Sequence, residues 1–95
     1  MFEEITKQLM AFDPVSIYLF GSQAKDTATA SSDIDICVIA ETGNKRQFTT
    51  ELYYSVYSDK PIDFIVYTPD EWEKCVAGNT SFAHKICQEG VRLYG

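Results

Sequence analysis

The six residues Ile34-Asp35-Ile36-Cys37-Val38-Ile39 constrain this chain more than any other stretch. They favour a strand and are apolar on both faces, so the strand must lie centrally in a sheet covered on both sides. Asp35 interrupts that run, and Asp33 stands two residues before it. Residues i and i+2 of a strand share a face, which projects the two carboxylates together, roughly 6–7 Å apart along the backbone. Carboxylates placed this way can converge on one divalent cation, or bridge two about 3.5–4 Å apart. Magnesium suits such oxygen ligands and keeps room for substrate phosphates. Two solvated acids at a strand start are the alternative reading.

The elements on either side supply the cover. Phe2, Ile5, Leu9, Met10 and Phe12 recur at helical spacing behind Glu3 and Glu4, and Asp13-Pro14 ends that helix. Val15 to Phe20 reads as a strand. Ser22 to Lys25 can open a short helix, and residues 26–32 form a polar loop of small residues. Beyond Gly43-Asn44, Gln47 to Tyr57 reads as a helix with Phe48, Leu52 and Val56 toward the core. Pro61 to Tyr67 is a third strand, with proline tolerated at its start. Thr68-Pro69-Asp70-Glu71 is a helix start with a capping box and proline at the first position. That helix runs to Val76, and another from Ser81 to Glu89 stops at Gly90. Val91 to Tyr94 can add an edge strand. Alternating helices and strands predict an α/β (α+β) fold, a small mixed sheet with helices packed on it.

At 95 residues the chain is expected to form one domain over 1–95, with a single modest core. It lacks an apolar run of membrane-spanning length and a signal segment, so the expected location is the cytoplasm and no membrane partner is expected. Fourteen acidic residues against eight basic ones argue against long nucleic acid as a partner. Cys37, Cys75 and Cys87 are widely spaced and His84 is the lone histidine. That pattern argues against a zinc site and predicts free, mostly buried thiols.

Two further elements complete the candidate site. Gly21 and Ser22 follow the apolar run Val15 to Phe20. Glycine allows a sharp turn and close approach to a ligand, and a serine at a helix start offers a hydroxyl where an anion is favoured. Lys25 can add a cation near phosphates. A plain N-cap serine and a solvated lysine are the simpler readings. Asp63 lies in the otherwise apolar strand Ile62 to Tyr67, where an unpaired charge is costly. If that strand neighbours the Asp33–Asp35 strand, a spacing of about 4.8 Å brings Asp63 to the same cation site. A strand-end acid in solvent, or a partner for Lys60, is the alternative.

Gly21-Ser22, ten residues, then Asp33-x-Asp35, with a later strand Asp63, resembles the nucleotidyltransferase superfamily related to DNA polymerase beta. The short length resembles the minimal nucleotidyltransferases, and the ending Ile86 to Tyr94 is similar to theirs. The resemblance extends from Ile17 to about Tyr67. Members often read Gly-Ser-Arg-Ala-Arg-Gly where this chain reads Gly21-Ser22-Gln23-Ala24-Lys25-Asp26. Glutamine and Asp26 weaken the phosphate half, and lysine replaces a bidentate arginine by a point charge.

The resemblance implies transfer of AMP from ATP to an acceptor hydroxyl, with Asp33, Asp35 and Asp63 holding two Mg²⁺ ions. Gly21, Ser22 and Lys25 would then bind the nucleotide, and Asp63 would accept the acceptor's proton. It also implies a toxin–antitoxin setting, with a HEPN-type protein as partner and acceptor. Tyr53, Tyr54 and Tyr57 exceed what one helix face can bury, which fits a partner interface or half-buried aromatics equally. A homo-oligomer is a second assembly to expect. A non-catalytic module that masks a partner is the alternative function, and transfer to a small molecule is a third.

Overall fold

The computed structural model describes residues 2–24, 33–78 and 80–95. Among them the elements alternate as expected: α1 (Glu3–Leu9), β1 (Ser16–Phe20), β2 (Ile34–Ile39), α2 (Lys45–Ser55), β3 (Ile62–Tyr67), α3 (Pro69–Ala77), α4 (Phe82–Glu89) and β4 (Val91–Tyr94). Single 3₁₀ turns follow α1 at Met10–Phe12 and β1 at Gly21–Gln23. The described strands form one sheet in the order β3-β2-β1-β4. β1 runs antiparallel to β2 and to β4, while β2 and β3 are parallel, joined through α2. The fold is therefore α+β with a mixed sheet.

Strand alternation sorts the apolar residues into two layers. Ile17, Leu19, Ile36, Val38, Phe64 and Val66 point to one face, where Ile5 and Leu9 of α1 and Leu52 of α2 close the larger core. Tyr18, Cys37 and Ile39 point to the other face, beneath Trp72 of α3 and Ile86 of α4. Trp72 lies between Tyr18 and Tyr67, with ring centroids 5.2 and 5.3 Å away. Burial pushes the Cys37 thiol up to about 12, so it stays protonated and acts as a small core residue. The expected central position of β2 thus holds. The expectation of mostly buried thiols does not: only Cys37 is buried, while Cys75 is half-buried and Cys87 exposed.

Local signals set most boundaries. Helix α2 begins at Lys45, two residues before the sequence-based start, because the Asn44 side chain accepts from the Gln47 N–H at 3.1 Å. It ends at Ser55 rather than Tyr57. The segment beyond is held instead by α1: Gln8 donates to the Tyr57 carbonyl at 2.9 Å and accepts from the Tyr57 N–H at 2.7 Å. Of the three tyrosines, Tyr54 and Tyr57 are 86% and 77% exposed. Tyr53 has a different task. Its hydroxyl accepts from the Phe64 N–H at 2.9 Å, satisfying a donor on edge strand β3, and its ring packs on Phe64.

The capping box of α3 is complete. Thr68 Oγ1 accepts from the Glu71 N–H at 3.3 Å, and Glu71 Oε1 accepts from the Thr68 N–H at 3.0 Å. Lys45 of α2 donates to Glu71 Oε2 at 2.9 Å, tying the two helices together. The Thr68 backbone bond, followed by Lys45, holds the Glu71 carboxyl below its ordinary value. A lowered acid contributes stability above its unfolded-state value and loses it as pH falls through the folded value. Thermal unfolding of Glu71→Gln should therefore be less pH-dependent in the acid range than wild type. Thr68→Ala should cost about 1 kcal/mol at neutral pH. Identical acid-range slopes for Glu71→Gln and wild type would show that the pairing has no energetic weight.

Candidate active site

The second sheet face changes character along β2. Its far half, Cys37 and Ile39, is apolar and lies under α3 and α4. Its near half carries Asp35, and Asp33 stands immediately before the strand begins. The parallel register sets Asp35 directly opposite Asp63, so both carboxylates leave neighbouring strands on the same face. Asp33 and Asp63 are exposed and Asp35 is half-buried. Burial first, then the charges of Asp63 and Asp33, push the Asp35 carboxyl above its ordinary value. The condition set by the sequence, that β3 should neighbour β2, is met.

The Gly-Ser turn joins this group through β1. The antiparallel register places Phe20 opposite Asp35, which brings Gly21 to the Asp35 side chain. Gly21 has a φ of +74°, and a Cβ built there would overlap Asp35 Oδ2 and lie 3.2 Å from Asp35 Cγ. Two independent constraints, backbone conformation and the adjacent carboxylate, thus demand glycine. Ser22 follows within the 3₁₀ turn, half-buried, and the turn closes with the Ala24 N–H donating to the Gly21 carbonyl at 3.2 Å. The expected short helix is a single 3₁₀ turn over its described residues. Lys25 and Asp26 lie outside the described residues.

The arrangement brings Gly21, Asp35 and Asp63 together, with Ser22 next to Gly21 and Asp33 two residues before Asp35 in the chain. A nucleotidyltransferase domain model matches residues 1–88. The chain belongs to that family. No curated protein and no solved structure matches it significantly. As a member of the nucleotidyltransferase family, the protein has a transferase role with a nucleotide as substrate, and divalent metal is the usual companion of that chemistry. No helix among the described residues is long and apolar enough to cross a membrane.

The donor set can be weighed against such a metal. Asp33, Asp35 and Asp63 offer only carboxylate oxygens, the hard ligands that magnesium takes. Among the described residues, however, no three His, Cys, Asp or Glu side chains are gathered into a ready metal cage. Burial, and after it the charges of Asp63 and Asp33, disfavour the ionised form of Asp35, so a cation beside it would be favoured. The residues fit a divalent cation in chemistry and in register. The backbone register already sets Asp35 and Asp63 side by side.

Sequence reasoning missed two features of this region. One is the contact between Gly21 and Asp35. The other is the aromatic pair Phe20–Phe82, 5.5 Å between centroids and edge-on at 87°, which brings the start of α4 to the end of β1. No local pattern marks either, since both depend on strands and helices distant in sequence.

Proposed function

We propose that the protein moves AMP from ATP to an acceptor hydroxyl, the new bond to the α-phosphate forming as the bond to pyrophosphate breaks and pyrophosphate leaves, with Asp33, Asp35 and Asp63 at the reacting phosphate. The observation that carries this reading is the pairing of Asp35 with Asp63 across β2 and β3, beside the Gly21 turn. Asp33, Asp35 and Asp63 would hold Mg²⁺. Such a cation neutralises phosphate charge and makes a bound hydroxyl easier to deprotonate.

The remaining work falls to the chain itself. Gly21, without a side chain, admits the triphosphate close to the backbone, and the Ser22 hydroxyl donates to a phosphate oxygen. Asp35, flanked by two like charges, is the carboxylate that gains most from a cation. Asp63, exposed on the edge strand, takes the acceptor's proton. Gln23 supplies no charge, so cationic help at the phosphates must come from Lys25 or from elsewhere.

The acceptor is read as a HEPN-type protein partner, on the strength of the resemblance to minimal nucleotidyltransferases, with the antitoxin role it implies. Tyr54 and Tyr57 offer an exposed aromatic surface suited to such a partner. A masking module without catalysis is the second reading, favoured by Gln23 and Asp26, which depart from the family's phosphate-binding pattern. One experiment separates them. The protein is incubated with the HEPN-type partner, ATP and Mg²⁺, and the partner is weighed by mass spectrometry. Addition of AMP that disappears with EDTA is expected; tight partner binding without any adduct would favour masking.

A further inference from the structure

A cleft of about 200 Å³ lies between the end of β1 and α4, on the far side of Gly21 from Asp35's neighbours in β3. Its walls are Phe20, Phe82 and Ile86, and its mouth carries Lys85 and Glu89. Gly21 and Gly90 line it without side chains, each for a separate steric reason. A Cβ at Gly21 would overlap Asp35, and one at Gly90 would press on the carbonyls of Ile86 and Leu19, the latter at 2.8 Å. Phe82 is held edge-on by Phe20 yet stays 49% exposed. The walls of this cleft are therefore aromatic and apolar, the rim is charged, and one lining residue touches the carboxylate group.

We infer that this cleft seats the nucleobase of the donor nucleotide, a purine lying against Phe82. The inference rests on the reading under Proposed function and adds to it the part of the substrate that the carboxylates do not hold. Three observations favour a base over other occupants. The volume is below the roughly 300–1,000 Å³ of pockets that enclose a whole drug-sized ligand, so it suits one flat ring system and not an entire nucleotide. An exposed phenylalanine beside a glycine-lined gap is a stacking platform open to any base, on which the larger purine ring system stacks more strongly than a pyrimidine. Gly21 borders both the cleft and Asp35, so a base in the cleft and phosphates at the turn are reached by one ligand. Lys85 and Glu89 at the rim can meet the polar edge of the ring.

Calorimetry with the full chain and Mg²⁺, using ATP, UTP and inorganic tripolyphosphate, tests this. ATP should bind more tightly than UTP and tripolyphosphate. Phe82→Ala should weaken ATP about tenfold, within the contribution of one base–aromatic stack, and leave tripolyphosphate unchanged. Nuclear Overhauser contacts between adenine ring protons and the Phe82 ring should appear in wild type, which decides the matter even if the variant fails to fold. Equal affinity for ATP and tripolyphosphate, with no effect of Phe82→Ala on either, would overturn the cleft assignment while leaving the phosphate site standing. Loss of transfer in Phe82→Ala with ATP affinity intact would overturn it in favour of an acceptor seat. Failure of wild type to bind either ligand would remove the transfer reading itself, and this inference with it.

Discussion

Asp35→Asn should abolish nucleotidyl transfer to within measurement while leaving the fold intact. Asp35 is the carboxylate all the others surround: Asp63 lies opposite in register, Asp33 two residues before it, and Gly21 against its oxygen. Removing its charge takes away a ligand and the charge stabilisation it helps to deliver. Several kcal/mol of transition-state stabilisation are at stake, or about 10³-fold in rate at 1.36 kcal/mol per decade. The stability effect has the opposite sign. Asp35's carboxyl is raised by burial and by its acidic neighbours, so its ionised form is the disfavoured one in the folded chain. A raised acid stabilises the fold less once pH exceeds the folded value, and a neutral amide relieves that penalty. Metal-free Asp35→Asn should therefore melt at or above the wild-type temperature near pH 7. Added Mg²⁺ should raise the melting temperature of wild type and not of the variant. Wild-type transfer by Asp35→Asn would end the proposed role, and a lowered melting temperature would mean that the carboxylate is structural.

The second large effect belongs to Gly21→Ala. A left-handed backbone conformation costs an L-residue roughly 1–2 kcal/mol, and here the new methyl group also meets Asp35. For a chain of this size that is about 4–16 °C in melting temperature. Transfer should fall with it, because relieving the overlap displaces the Asp35 carboxylate on which the site depends. Gly43→Ala is the matched control, since a Cβ there meets nothing within 4 Å. Differential scanning calorimetry on the two variants, with transfer assayed alongside, reads both consequences. Equal melting temperatures for Gly21→Ala and Gly43→Ala would show that the turn relaxes without strain.

How far the residues alone reach can be judged from the same positions. Strand period predicts one face for Asp33 and Asp35, a local rule needing nothing beyond the chain order, although the strand itself begins only at Ile34. Asp63 could be joined to them only conditionally, since strand adjacency is decided by the α2 crossover and the core it covers. The capping box at Thr68 and Glu71 is local chemistry and appears as written in the sequence. Gly21's dependence on Asp35 is not local: it arises when β1 folds back antiparallel on β2. The Tyr53 hydroxyl on the Phe64 N–H is of the same kind. Pattern recognises which faces are apolar, while pairing decides which side chains meet.

The parallel register of β2 and β3 has one more consequence. Side chains alternate along β3, so a slip of one residue would turn Asp63 and Ile65 toward the core and swing Phe64 and Val66 into the acidic face. A lone carboxylate among Ile36, Val38 and Leu52 would carry a heavy desolvation cost, and two large apolar side chains would lose their burial. The aspartate that completes the acidic face is therefore also what makes mispairing of its own strand expensive. Assembly of the sheet and assembly of the site are a single error-checked event.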